Sequence, residues 1–350
     1  MRVNPYSLVF GREPDVMIPR SSQSSRILDT FCSEKPEQQV FMVTGIRGSG
    51  KTVFMTNIAH RISRKKEWIA VELNPKRDML TSLASKLSSE NTLATIFQNA
   101  NINLSFFGFG LDIKGVVPIS DIETALIKML DSIKKHGKRV LITIDEVDSS
   151  QEMMVFAHSF QIFIREQLPV FLLMTGLYEN IDALQNERTL TFLYRAPKLL
   201  LDPLNLGTIA KNYMDTFHLE RADALQMSRL TRGFSYAFQA LGYYTWEYNG
   251  DFREALPEYK QHLDDYVYIK IWSELSLNDR RVAYAIVRSQ DGQIRKIREF
   301  LQMESNQFAP YRSRLIKKGI VNGDEHGYLR FTLPLFGEFV EENYFEEERL

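Results

Sequence analysis

The feature that most restricts the fold of this chain is the octapeptide at residues 45–52, which reads Gly-Ile-Arg-Gly-Ser-Gly-Lys-Thr. It fits the pattern G-x-x-x-x-G-K-[ST] in full, and it lies between an apolar run, Val40–Val43, and a helical pattern that begins near Thr52. Glycines let the main chain bend without clashes of a Cβ atom, and the N–H groups of such a bend point inward and attract an anion. The sequence therefore predicts a strand, a phosphate-binding loop and a helix, in that order.

A nucleoside triphosphate with its metal ion matches the groups that this loop offers. Lys51 is expected to reach the β- and γ-phosphates, and the Thr52 hydroxyl is expected to bind Mg²⁺. The helix that follows adds its positive amino end. A glycine-rich turn with a chance Lys-Thr pair is the alternative, and the flanking strand and helix patterns argue against it. The residues expected to contact the nucleotide are Gly45, Ile46, Arg47, Gly48, Ser49, Gly50, Lys51, Thr52 and Val53.

Strand and helix patterns alternate between about Val40 and Asp202. Such alternation predicts an α/β fold in which helices cover both faces of a parallel sheet. The five expected strands are short and apolar, as buried parallel strands are. They lie at Val40–Val43, Trp68–Val71, Val140–Ile144, Val170–Met174 and Leu199–Leu201. The segment Leu104–Val117 interrupts the alternation with three glycines and period-two apolar positions, which predicts an inserted β-hairpin, either a packing flap or a partner-binding element.

Polar residues follow two of these strands. Asp145 and Glu146 come directly after Val140–Ile144, and Thr175 comes after Val170–Met174. Ligands of an open parallel sheet bind outside the carboxyl ends of its strands. Asp145 is therefore expected to hold Mg²⁺ through water, Glu146 to act as general base on the attacking water, and Thr175 to touch the γ-phosphate or that water. The alternatives are surface carboxylates and a threonine that only caps its strand.

The region from about Leu275 to Leu335 is a compact pattern of three helices and a hairpin, which predicts a winged helix-turn-helix. Between Ser276 and Gly337 there are eleven Lys or Arg residues against six Asp or Glu, whereas the whole chain has a net charge of -1. A local basic surface fits contacts with the phosphates of duplex DNA. The alternatives are a protein partner, since winged helices also mediate protein contacts, and a basic helix that is simply solvated. The expected DNA contacts are Arg312, Arg314, Lys317 and Lys318.

The composition excludes several other classes of protein. The single cysteine, Cys32, cannot form an internal disulfide and indicates a reducing compartment. The most apolar stretch, Val170–Leu177, is much shorter than the roughly 20 residues of a membrane span, and Met1–Phe10 lacks the apolar core of a signal peptide. We therefore expect a cytoplasmic protein without a membrane segment. The six histidines have no metal-ligand spacing, so no zinc site is expected.

With these features in order, the chain resembles the AAA+ ATPases, and within them the initiator-like (origin-recognition and helicase-loader) and signal-transduction branches. The specific matches are Gly45–Thr52 and Asp145-Glu146. Softer matches are Phe10-Gly11-Arg12-Glu13, a box that lies near the adenine in these families, and Thr231–Ala237, a lid motif in which Ser235 stands at the place of a proline. The resemblance implies ATP hydrolysis with Mg²⁺, a P-loop NTPase three-layer αβα sheet in the strand order 5-1-4-3-2, and a helical lid.

The resemblance also implies domain boundaries and a site shared between subunits. The expected domains are an ATPase core at 1–203 with the hairpin at 104–117, a lid at 204–270, a winged helix at 271–337 and an acidic, solvated tail at 338–350. Related ATPases complete their site with an arginine finger from a neighbouring copy in a homo-oligomer. Arg188 and Arg195 lie between the fourth and fifth strands, and each is equally consistent with a surface charge. We prefer Arg195 because it lies just before the last strand.

Overall fold

The computed structural model describes residues 3–9, 11, 13–109, 113 and 115–347. The chain divides into two compact units. The sheet unit comprises residues 21–44 and 51–199, and the helical unit comprises residues 1–20, 45–50 and 200–350. The bend of the phosphate-binding loop, residues 45–50, thus belongs to the helical unit, whereas Lys51 and Thr52 belong to the sheet unit.

The sheet unit is built on a parallel sheet of five strands in the order β2-β3-β4-β1-β5, which is the predicted order read from the opposite edge. Its strands are β1 (Val40–Thr44), β2 (Trp68–Leu73), β3 (Arg139–Ile144), β4 (Val170–Gly176) and β5 (Lys198–Leu200). Its helices are α1 (Ser21–Cys32), α2 (Lys51–Ser63), α3 (Met79–Ser89), α4 (Asn91–Asn99), α5 (Ile122–Lys135), α6 (Gln151–Arg165), α7 (Tyr178–Gln185) and α8 (Thr191–Tyr194).

The centre of this sheet is apolar on both faces. All seven residues of β4 are buried, and β3 is buried from Val140 to Ile144. The two strands pair in parallel with Val140 opposite Val170, so their polar carboxyl ends lie at the same edge of the sheet. Burial on both faces explains why the strands read as continuous apolar runs in the sequence.

The predicted β-hairpin at 104–117 is wrong for the residues that the structure describes there. Ser105–Phe107 form a single 3-10 turn, and Gly108 follows in the left-handed region at φ 73°. The described residues 104–109, 113 and 115–117 include no strand. Residues 110–112 and 114 lie outside the described part of the chain.

A buried asparagine supplies the hydrogen bonds that a hairpin ladder would have made. The Asn103 carbonyl Oδ1 accepts from the Ser105 N–H at 3.0 Å, which forms a local turn. Its Nδ2 donates to the Ile113 and Val116 carbonyls at 3.2 and 2.8 Å. The apolar residues at period-two spacing therefore belong to a loop that packs on the core, and they do not form a β-hairpin.

The helices of the helical unit follow β5 in the chain. They are α9 (Leu206–Phe217), α10 (Arg221–Leu230), α11 (Ser235–Glu247), α12 (Leu256–Leu263), α13 (Ile269–Ser273), α14 (Leu277–Arg288), α15 (Ile294–Leu301), α16 (Ser305–Lys317) and α17 (Phe336–Glu347). A π-helical turn, Asp264–Tyr268, joins α12 to α13. An antiparallel pair of two-residue strands, β6 (Val321–Asn322) and β7 (Arg330–Phe331), follows α16. Helices α14, α15 and α16, followed by β6 and β7, give the order of three helices and a hairpin that the sequence predicts between about Leu275 and Leu335.

The end of the chain differs from the predicted solvated tail. α17 buries Phe336, Phe339 and Val340, which lie on one helical face at three- and four-residue spacing. Lys260 of α12 forms ion pairs of 3.0 Å with Glu338 and with Glu342 on the same helix. The acidic segment is therefore packed through Phe336, Phe339 and Val340, and residues 348–350 lie outside the described part.

Over the described residues, none of the helices combines the length and the apolar character that crossing a bilayer requires.

Candidate nucleotide-binding site

The bend of the phosphate-binding loop depends on its glycines. Gly48 and Gly50 have φ of 80° and 86°, in the left-handed region that favours glycine, and Ser49 lies between them. This alternation turns successive N–H groups toward one side and makes an anion-binding concavity. A Cβ on Gly48 would lie 2.8 Å from Phe234 Cζ, so glycine is needed there for space as well. The predicted loop thus has the backbone that phosphate binding requires.

The amino end of α11 lies against the carbonyls of this loop. The Tyr236 N–H donates to the Gly48 carbonyl at 3.1 Å, and the Ser235 hydroxyl donates to the Ser49 carbonyl at 2.9 Å. Ser235 stands where the resemblance expects a proline. A proline has no hydroxyl, so this serine adds a bond to the loop that the family pattern does not predict.

Arg20 joins the same network and was missed in the sequence. Its Nη2 donates to the Ser49 carbonyl and to Ser235 Oγ, both at 2.8 Å, and its Nε donates to the Asp202 carbonyl at 2.8 Å. Burial lowers the pKa of Arg20 to about 10, which the charge of Asp202 partly offsets. No motif surrounds this residue, which follows Pro19 before α1, so no local sequence signal points to it.

Arg47 was predicted to contact the nucleotide, and in the structure its guanidinium lies near an acidic residue. Its Nη2 lies 3.7 Å from Glu274 Oε1, at the end of α13. Its Nε is buried without a hydrogen-bond partner among the described residues. The loop is therefore linked by a weak ion pair to the helix that leads into the carboxy-terminal module, which we define as residues 275–340.

A cavity of about 300 Å³ adjoins the loop within the helical unit. Gly45, Ile46 and Ser49 line it on one side, and the β6 turn at 322–324 lines it on another. The Ser49 hydroxyl is buried and has no partner among the described residues. The same cavity is thus bordered by the loop and by the carboxy-terminal module.

In the sheet unit the structure brings together four of the predicted site residues. The Thr52 hydroxyl, in the first turn of α2, donates to Asp145 Oδ2 at 2.6 Å. The buried Thr175 hydroxyl donates to Asp145 Oδ1, and the Glu146 N–H donates to the same oxygen at 3.0 Å. Lys51 precedes Thr52 directly as the first residue of α2. Thr175 thus holds the Asp145 carboxylate, a role that its predicted contact with phosphate or water did not include.

Glu146 has the exposure that a base acting on water needs. Its side chain is exposed, while its backbone has a φ of 52°, uncommon for a residue other than glycine. Unusual backbone conformations of this kind gather at functional sites. Asp148, unassigned from the sequence, pairs with Lys76, whose hydrogen bond lowers the pKa of that carboxyl.

Two side-chain oxygens converge where Mg²⁺ is predicted. A hydroxyl and a carboxylate 2.6 Å apart are hard oxygen donors of the kind that Mg²⁺ prefers, and Mg²⁺ usually keeps several waters beside one or two such ligands. Thr52 and Asp145 therefore fit the ion in chemistry and in position.

The preferred arginine-finger candidate lies at the other end of the sheet. Arg195 follows α8 and lines a groove of about 450 Å³ together with residues 36–40, at the amino end of β1. Asp145 and Thr175 lie at the carboxyl ends of the parallel strands. Arg195 therefore lies away from Asp145 and Thr175 of its own chain. Arg188 is exposed in a turn after α7.

The predicted DNA-contacting residues do not form one exposed set. The Arg314 guanidinium binds Asp279 in bidentate fashion, with N–O distances of 2.9 and 3.0 Å, and that carboxylate is 2% exposed. Arg312 is half-buried and donates weakly to the Gly323 carbonyl at 3.5 Å. Lys317 is exposed on α16, and Lys318 follows that helix half-buried. The charge pattern missed the Asp279 partner because that acid lies 35 residues away.

The box proposed to lie near the adenine is only partly described. Phe10 and Arg12, and with them the predicted contact, lie outside the described residues. The other softer match, Thr231–Ala237, contacts the segment that follows β5: the Leu204 N–H donates to the Gly233 carbonyl at 2.7 Å.

Two family models match parts of the chain. Residues 20–174 match the KAP family P-loop domain, and residues 265–340 match a domain described as of unknown function (DUF8462). No curated protein sequence matches the chain significantly. The first match covers β1 to β3, most of β4, the loop and both predicted carboxylates, and so confirms the predicted P-loop NTPase core.

Solved structures resemble the chain over nearly its whole length. The Walker-type ATPase of Pyrococcus abyssi has a TM-score of 0.64 at 14% identity, covering 93% of this chain and 96% of that one. Cdc6p from Pyrobaculum aerophilum has a TM-score of 0.46 at 15% identity, covering 96% and 97%. The Aeropyrum pernix ORC1 protein, solved in complex with DNA, has a TM-score of 0.41 at 14% identity, covering 96% of both chains.

At these identities the similarity to the Pyrococcus abyssi protein shows a shared fold, whereas the TM-scores of the other two structures are too low to show one. The strand order, the glycine bend, the Thr52–Asp145 pair and the matching family model agree with one another. The chain therefore has a P-loop NTPase fold, which it shares with the Pyrococcus abyssi protein, and its residues 20–174 match the KAP family P-loop domain.

Proposed function

We propose that this protein is a Mg²⁺-dependent ATPase that acts as a molecular switch. The observation that carries the proposal is the pairing of the Thr52 hydroxyl with the Asp145 carboxylate at 2.6 Å, directly after a loop with two left-handed glycines. This is the donor set that holds a metal ion beside a triphosphate in P-loop enzymes.

Each residue then has one task. The loop N–H groups and Lys51 bind the phosphates, and Thr52 and Asp145 hold Mg²⁺, which when bound neutralises charge on the phosphate oxygens. Thr175 fixes the Asp145 carboxylate through its hydrogen bond. Glu146, exposed at the strand end, accepts a proton from the attacking water as it forms its bond to the γ-phosphorus, and ADP departs.

Two substitutions test this assignment. Lys51→Ala is expected to abolish ATP binding in calorimetry, because it removes the ammonium that meets the phosphates. Glu146→Gln is expected to keep the Kd for ATP and to lower kcat by about 10²–10³-fold, as loss of a general base does. The exposed Glu152→Gln, in the first turn of α6, is the matched control and should keep full turnover. Normal turnover in Glu146→Gln would remove that residue from the base role.

We further propose that the nucleotide state is passed to the carboxy-terminal module, which binds duplex DNA as a winged helix. The module has three helices followed by an antiparallel ribbon, and its β6 turn borders the same cavity as the loop. Lys317, Lys318 and Arg312 are the proposed phosphate contacts. In the proposed homo-oligomer, Arg195 of one copy completes the site of the next.

Fluorescence anisotropy with a labelled duplex at low salt tests DNA binding, with ATP and with ADP. Lys317→Gln with Lys318→Gln should weaken binding and reduce its salt dependence. Arg295→Gln with Lys296→Gln removes the same charge from α15, outside the proposed phosphate contacts, so it should weaken binding less. If the two double variants lose equal affinity for the duplex, net charge alone accounts for binding and Lys317 and Lys318 are not specific contacts.

A protein partner is the second candidate for this module. Five of its basic side chains are in ion pairs with acids of the same module, which lowers the net field available to DNA. The five residues are Arg295, Lys296, Arg298, Arg314 and Arg330. This candidate would be favoured by two results together. The protein would show no nucleotide-sensitive binding of duplex DNA, and the immobilised full chain would retain a second protein in a stable complex.

A further inference from the structure

The carbonyls of a phosphate-binding loop need partners of their own. When successive N–H groups turn inward to meet an anion, the carbonyls of the same peptides turn outward. A buried carbonyl without a partner costs about 1–3 kcal/mol. Here the outward carbonyls of Gly48 and Ser49 are met by groups of the helical unit.

Arg20 is central to this outer support. One of its nitrogens, Nη2, bonds both the Ser49 carbonyl and Ser235 Oγ, and Ser235 in turn donates to the same carbonyl. Its Nε is anchored on the Asp202 carbonyl, just after β5. The guanidinium therefore fixes three segments that are remote in sequence: the loop, the start of α11 and the turn at Asp202.

We propose that Arg20 is a positioning residue for nucleotide binding, which holds the phosphate-binding loop in its anion-binding shape from the outside. The inference rests on the proposed function of that loop. Arg20 acts through Ser49 and Ser235 and does not itself touch the phosphates.

The planar fork of arginine is required for this arrangement. Nε and Nη2 point in fixed, diverging directions, so one side chain reaches the Asp202 carbonyl and the Ser49 carbonyl together. A lysine keeps the positive charge but has a single nitrogen at the end of a flexible stem. Arg20→Lys is therefore expected to retain only part of the support, and Arg20→Gln less.

Calorimetry with ADP and with ATP plus Mg²⁺ on the full chain tests the inference, beside thermal unfolding of each variant without nucleotide. Arg20→Gln should raise the Kd for both nucleotides roughly tenfold or more, since a charge-assisted bond to the loop is lost. Arg20→Lys should fall between Arg20→Gln and the natural protein. Arg26→Gln, an exposed arginine on α1, is the control and should leave the Kd unchanged.

Coupling between Arg20 and Ser235 separates positioning from general stability. If Arg20 acts through Ser235 and Ser49, adding Ser235→Ala to Arg20→Gln should raise the Kd by less than the product of the two single effects. Additive effects would overturn the inference. So would a lowered Tm in Arg20→Gln with an unchanged Kd, because that result describes a purely structural residue.

Failure of the proposed function has a different signature. If the natural protein binds no adenine nucleotide, the proposed function fails and the role of Arg20 fails with it. If the natural protein binds and Arg20→Gln matches Arg26→Gln, only the inference about Arg20 fails.

Discussion

Replacement of Gly48 by alanine tests the fit between the phosphate-binding loop and α11. Gly48 has a φ of 80°, and a Cβ there would lie 2.8 Å from Phe234 Cζ and 3.1 Å from Tyr236 Cβ. The left-handed backbone costs an alanine about 1–2 kcal/mol. Displacing the packed aromatic ring adds about 1–3 kcal/mol, by analogy with an overfilled core.

Gly327→Ala provides the matched control. Gly327 belongs to the same unit and has a φ of 85°, but a Cβ there meets nothing within 4 Å. It should show the backbone cost alone, so the difference between the two variants isolates the contact with Phe234.

Denaturant unfolding of both variants measures this difference in the free energy of unfolding, and calorimetry with ATP and Mg²⁺ follows its effect on binding. Gly48→Ala should be the less stable variant by about 1–3 kcal/mol and should lose measurable affinity, because Phe234 and the loop move apart. Equal stabilities would refute the packing of α11 on Gly48. Loss of stability with unchanged affinity would refute the link between that packing and the shape of the loop.

Three further predictions concern charged groups of the helical unit. Burial raises the pKa of Asp264 in the folded protein to about 6. The folded protein therefore binds a proton at this carboxyl more tightly than the unfolded chain does. This contribution to the free energy of unfolding is present at low pH and is lost as pH rises through 6. Asp264→Asn should stabilise the protein at pH 8 by about 1–2 kcal/mol after solvent screening and flatten the pH dependence of unfolding between pH 4 and 7. Asp279→Asn should lower the free energy of unfolding by about 2–3 kcal/mol, because the Arg314 bidentate pair is broken, and an unchanged value would deny that pair a role in stability. Lys260→Met should cost at most about 1 kcal/mol in the same assay, since its two ion pairs with α17 are largely exposed, and a larger loss would show that they hold that helix.

The fold of the sheet unit could be predicted because its signals are local. β3 and β4 are mostly apolar over their buried length, and the loop pattern fixes which strand precedes the phosphate site. The order of the strands came from the family resemblance, since no single-strand pattern specifies its neighbours. The hairpin prediction at 104–117 failed because period-two apolar spacing also arises in a loop folded around one buried side chain, Asn103.

The site was predicted in part for the same reason. Lys51, Thr52 and Asp145 lie within motifs whose spacing along the chain is short. Arg20 and Ser235 are 215 residues apart in sequence, and their contact appears only once the chain is folded. The partner of Arg314 was hidden in the same way, which made the basic cluster look freer than it is.

The π-helical turn at Asp264–Tyr268 has a consequence for insertions and deletions. A residue added to a helix rotates all that follows by about 100°, so this wide turn sets the direction in which Ile271 and Trp272 of α13 face. Both are buried, and Trp272 meets the Phe339 ring of α17 at 6.2 Å between centroids. Removing one residue from the turn would restore an ordinary helix and rotate Trp272 out of its buried position. A deletion in this segment should therefore destabilise the protein far more than a substitution of one of its exposed residues.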